Sequence, residues 1–128
     1  MDDYRSAALR HLKDAESLRV VDRLDNAGHL VGFAAECAIK YRIATLQATA
    51  DPHGHFPEFL TIARKHLGQR SNYTSMYDII RNPVFQSWTV HRRYWKTGST
   101  TLNEIDQWFA QTKRLMAAAQ IRGEEQKA

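Results

Sequence analysis

The sequence predicts a single all-α domain, on three observations. Apolar residues recur three or four apart, proline and glycine stand where those periodic stretches begin or stop, and the most apolar stretch is long and alanine-rich. At 128 residues and 43% hydrophobic the chain can build one real core. We place the domain at residues 1–123 and expect 124–128 to fray as a tail.

The elements follow in order. Over residues 3–23, Ala8, Leu12, Ala15 and Leu18 form one face of an amphipathic helix. Asp25, Asn26 and Gly28 then offer the residues that close one helix and cap the next. From about Asn26 to Thr45 the sequence is apolar on most sides. One stripe holds Leu30, Phe33, Cys37 and Tyr41, and another Val31, Ala35, Ile39 and Ile43. A helix apolar nearly all round is a central one, and its alanines let neighbours come close.

Asp51-Pro-His-Gly-His-Phe-Pro reads as a loop. Pro57 suits the first position of a helix and Glu58 its positive end, with Gly68 as the stop. Residues 72–82 predict a short helix that breaks before Pro83. Residues 84–95 are ambiguous, because Val84, Trp88 and His91 share a helical face only imperfectly. Lys96 to Thr100 is a loop around Gly98. Thr101 and Glu104 then have capping-box spacing and open a long last helix with Leu102, Ile105, Trp108, Phe109, Leu115 and Ala119 inward. The whole reads as an up-and-down helical bundle, with short extra helices between the second and the last long ones.

The formal charge of +4 is unevenly spread. Residues 1–58 hold nine acids against seven bases, and residues 104–128 four of each. Residues 59–103 hold Arg64, Lys65, Arg70, Arg81, Arg92, Arg93 and Lys96 against Asp78 alone, together with seven of the thirteen aromatics. That middle segment suggests an anionic partner. The single Cys37 excludes an internal disulfide framework and fits a buried, reduced thiol. The first residues are acidic where a signal peptide needs positive charge, and the run Leu30 to Ile39 is about half a membrane span. We therefore expect a cytoplasmic protein with no membrane association.

The string Ala27-Gly-His-Leu-Val-Gly-Phe-Ala-Ala-Glu-Cys-Ala-Ile-Lys40 resembles the second helix of HEPN domains, with Glu36 and Lys40 where that helix has its Glu and Lys. Gly54-His55 before a helix, and Trp88-Thr-Val-His-Arg-Arg-Tyr94 before a last long helix, look like features of one prokaryotic branch of that superfamily. The resemblance covers nearly the whole chain in element order. It implies a four- to five-helix bundle that forms a homodimer. It also implies a defence or toxin–antitoxin context, with metal-independent ribonuclease activity or an inactive role beside a nucleotidyltransferase partner protein.

Active HEPN domains carry Arg, then four to six residues, then His, late on a helix. Here that spacing occurs at Arg23 and His29, which the reading above puts in the turn between the first two helices. Arg81-Asn82 begins such a motif, but Gln86, Ser87 and Trp88 stand where its His would fall. His91-Arg92-Arg93-Tyr94 is the better candidate, since imidazole and guanidinium are the groups metal-free RNA cleavage needs. The catalytic candidates are thus His91, Arg92, Arg93 and Arg81, with His29 behind them. On a helix, however, Arg92 and Arg93 point about 100° apart, so one of them suits a structural pairing with a buried carboxylate such as Glu36.

For nucleic-acid binding the candidates are Arg64, Lys65, Arg70, Arg81, Arg92, Arg93, Tyr94 and Lys96, cations for phosphates and rings for unpaired bases. Glu36 and Lys40 predict a structural i,i+4 ion pair, and a carboxylate on so apolar a helix calls for a second partner. His53, His55 and His66 lack the companions of a metal site, and no metal or cofactor is expected. The expectation is an RNA- or partner-binding module with little or no catalysis. The alternatives are a metal-independent endoribonuclease and a plain oligomerisation domain.

Overall fold

The computed structural model describes residues 2–46, 52–68 and 74–122. Its order is α1 (Tyr4–Val20), α2 (Leu24–Leu46), α3 (Glu58–Gly68), α4 (Thr74–Ile80), a 3-10 helix (Val90–Tyr94) and α5 (Leu102–Ala118). Among the described residues there is no strand. The fold is an all-helical bundle, as the periodicity predicts. None of the described helices is long and apolar enough to cross a membrane.

Asp3 caps α1 by accepting the Ser6 amide. The chain turns through Asp22, whose φ is 61°, straight into α2. The two helices form the most extensive contact in the molecule, and α5 packs on α2 next. From α2 the side chains of Val31, Ala35, Ile39 and Ile43 enter the core. They meet Ala8 and Ala15 of α1 and Ile105, Trp108 and Leu115 of α5. Burying a large apolar side chain stabilises the fold by about 2–3 kcal/mol relative to leaving it exposed.

Gly28 has a role other than the one its sequence context suggests, and Gly32 shares it. Because α2 begins at Leu24, both lie inside the helix, and the expectation that Gly28 marks its start is corrected. A Cβ on Gly28 would lie 2.8 Å from the Trp108 ring, and one on Gly32 would fall within the Trp88 ring. The two glycines are notches into which the tryptophan rings pack closely. Trp88 is fixed there by its Nε1–H, which donates to the Gly28 carbonyl at 2.8 Å.

Pro57 stands just before α3, Gly68 is its last residue, and Thr101 and Glu104 form the expected reciprocal capping box of α5. Leu102, expected inward, is instead exposed in the first turn of α5. The ambiguous stretch 84–95 is a run of turns followed by the 3-10 helix. Phe85 and Ser87 hold positive φ values of 54° and 68°. Arg70, Tyr73 and the tail from Gly123 onward lie outside the described residues.

Candidate functional site

Two neighbouring groups of side chains carry the chemistry. The first is built on the 3-10 helix. Thr89 caps it, its hydroxyl accepting the His91 amide at 3.1 Å. A 3-10 helix rotates about 120° per residue, so consecutive side chains diverge. Arg92 turns inward, with only 9% of its side chain exposed. Its Nη2 donates to Glu104 Oε2 at 2.6 Å and its Nε to the Ser87 carbonyl at 2.8 Å. The guanidinium carbon lies 4.5 Å from the centre of the Trp95 ring and 4.9 Å from that of Trp108. A planar cation between two rings, with a carboxylate at its end, is a cross-brace between this segment and α5.

Burial of Glu104 favours its neutral form. The Thr101 amide and the Arg92 guanidinium outweigh that, holding the carboxyl below its ordinary value. Asp25 fastens the far end of the segment, accepting the amides of Gly98 at 2.7 Å and Thr100 at 3.0 Å. The Gly98 bond is the main reason its carboxyl also sits below the usual range.

On the other side of the same segment, His91, Arg93, Tyr94, Trp95 and Lys96 are exposed. Tyr94 shows 76% of its surface and Trp95 49%. The Arg93 guanidinium lies over the Tyr94 ring at 5.0 Å. Lys65 and Arg81 are also exposed.

Two of the expected ligand-binding cations hold partners within the fold, and for the buried Arg92 this corrects the assignment. Arg92 is the brace just described. Arg64 closes the end of α4, its Nε donating to the Ile80 carbonyl at 2.6 Å and its Nη2 to that of Asn82 at 3.3 Å. The expectation that an arginine of this pair meets a carboxylate holds, but the carboxylate is Glu104 and not Glu36.

The second group surrounds Phe33 on α2. The imidazoles of His29, His55 and His11 stand 4.7, 5.6 and 5.9 Å from its ring centre. His29 also stacks on Trp88 at 5.5 Å. His29 is inside α2, one turn before Phe33, and not in the interhelical turn where its spacing from Arg23 suggests. Its Nδ1 is buried without a hydrogen-bond partner. Burial first, then the charges of Arg93 and His55, holds its pKa below the ordinary imidazole value. Burial first and Arg10 second do the same at His11, against a smaller opposing pull from Asp14.

Glu36 is 2% exposed, and both its oxygens are used. Oε1 meets His55 Nδ1 at 2.9 Å and Oε2 accepts the Phe56 amide at 2.7 Å. Burial raises its pKa, and these partners only partly offset the rise. The expected Glu36–Lys40 pair is thus replaced. Lys40 lies over the Phe59 ring at 5.2 Å and reaches Glu36 only as a longer-range charge. The second partner that Glu36 requires is His55, a loop residue that the sequence reading did not pair with it. The clue was there in a buried carboxylate followed by an imidazole-bearing loop. Cys37, on the next position of α2, is pushed up to about 11 by burial and is a poor nucleophile.

An open groove of about 1090 Å³ lies between α1 and the end of α5, lined among others by Arg5, Leu9, Lys13, Lys113 and Met116. It contains none of the histidines. Among the described residues no three His, Cys, Asp or Glu side chains are placed to hold a metal ion. No family model matches the chain, and neither a curated protein nor a solved structure is significantly similar to it.

Proposed function

We propose that this chain is a HEPN-like helical module that binds single-stranded RNA through the outward side of its 3-10 segment, with little or no cleavage of its own. The observation that carries this is the exposure of Tyr94 and Trp95 beside His91, Arg93 and Lys96, on a backbone braced from behind by Arg92. Tyr94 is largely open to solvent, and Trp95, although its ring packs against Arg92, is half exposed. Next to guanidinium and ammonium groups, they offer unpaired bases a stacking surface while the cations meet phosphates. The HEPN-like bundle, a homodimer and a nucleotidyltransferase partner in a defence setting remain part of the same reading, on the strength of the second-helix residues.

The test is fluorescence anisotropy of a labelled single-stranded RNA in EDTA at several salt concentrations, with the RNA run on a gel afterwards. Binding should weaken as salt rises, with a slope of about −0.7 per phosphate contact on a single strand. Arg93→Ala should reduce that slope by about one contact, and Tyr94→Ala should weaken binding by roughly 1–3 kcal/mol. Intact, unbound RNA at low salt would leave only an oligomerisation domain. RNA cut in EDTA would turn the reading to a metal-independent ribonuclease.

A further inference from the structure

We propose that the groove between α1 and the end of α5 is the docking site for an acidic amphipathic helix of a partner protein. The two helices each pack on α2, while their own backbones scarcely approach one another. Side chains tie them instead. Arg19 of α1 pairs with Asp106 and lies over the Phe109 ring, and Arg5 donates to the Arg122 carbonyl at 3.1 Å. The groove runs along α1 from Asp3 to Glu16, and along the α5 side from Arg122 back to Lys113. That stretch of α1 is about 20 Å long, or between three and four helical turns.

Leu9 and Leu12 on the α1 side, and Met116 and Ile121 on the α5 side, give the groove its apolar lining. Around them Arg10, Lys13, Lys113 and Arg122 are exposed. The lining holds five bases against two acids, and one of those acids, Asp3, already accepts the Ser6 amide. An apolar strip with cations on both sides is complementary to a helix that carries an apolar stripe between carboxylates. The thioether of Met116 suits such a surface, since methionine adapts to irregular apolar partners.

Other occupants fit less well. None of the described lining residues is aromatic, so unpaired bases would find no ring to stack on, and the apolar lining would go unused. At about 1090 Å³ the groove lies above the roughly 300–1,000 Å³ of small-molecule pockets, and it is open to solvent. It shares no residue with the 3-10 segment, so it is independent of the RNA reading.

The test is NMR of the full chain with isotope-labelled methionine methyls. The probe is a synthetic peptide of about four helical turns, with leucines at i, i+3, i+4 and i+7 and glutamates on both flanks. The Met116 signal should move and saturate, while Met76, sealed in the core, stays in place. Lys113→Glu should weaken binding about fivefold. Arg114→Glu makes the same change of charge on the same helix, outside the groove, and should titrate like the wild type. A peptide of equal composition with its leucines out of register should not bind. An unmoved Met116, equal losses in the two charge reversals, or equal binding of the two peptides would overturn the site. So would a Met116 shift driven by protein concentration alone, which gives the groove to a second copy, or by single-stranded RNA, which gives it to nucleic acid.

Discussion

On the inward side of the 3-10 segment, Arg92 lies between two tryptophan rings with its charge met by Glu104. On the outward side Arg93, one residue later, lies over the ring of Tyr94 in solvent. The two residues are chemically identical, and their surroundings make one a structural brace and the other a solvent-facing cation. The inward arginine has lost its water and depends on fixed partners. The outward one keeps its water.

The sharpest way to break this contrast is to remove the inward guanidinium. Arg92→Ala empties the space between Trp95 and Trp108 and leaves Glu104 with only its Thr101 bonds, and should cost about 2–3 kcal/mol in chemical denaturation. Arg93→Ala should cost less than about 0.5 kcal/mol in the same assay. Equal losses would erase the distinction between the two sides.

A smaller effect is expected where the segment docks on α2. Gly32→Ala drives a methyl into the Trp88 ring and should destabilise by about 2 kcal/mol, although alanine is the better helix former. A neutral result would mean that Trp88 does not fix the segment's position.

The smallest effect is in pH. Glu104 titrates below its unfolded value, so the stabilisation it provides is complete above the ordinary carboxylate range and is lost as pH falls through it. The stability gap between the wild type and Glu104→Gln should be constant above about pH 5 and shrink below about pH 4. A gap that grows towards acid would contradict the sign of the brace.

What the sequence revealed divides along the same line. The helices were legible because periodicity and end signals are local: Pro57 and Gly68 around α3, Thr101 and Glu104 at the start of α5. Gly28 was misread because its partner Trp108 lies eighty residues on, and a notch looks the same in sequence as a helix end. That one of two adjacent arginines should seek a carboxylate followed from helical geometry. Which carboxylate did not, because Glu104 is brought alongside only by the turns over 84–89. Likewise the need of Glu36 for a partner could be read from its apolar surroundings, whereas its meeting with His55 depends on how the loop before α3 folds back.

The three tryptophans also give the protein built-in optical probes. Trp88 and Trp108 are sealed in the core and Trp95 is half open to water, so their emission should separate into a blue and a red component. A base stacking on Trp95 would quench the red component alone. Trp88, stacked on His29, would respond instead to a proton arriving on that ring. One unlabelled sample could therefore report on the two sides of the segment independently.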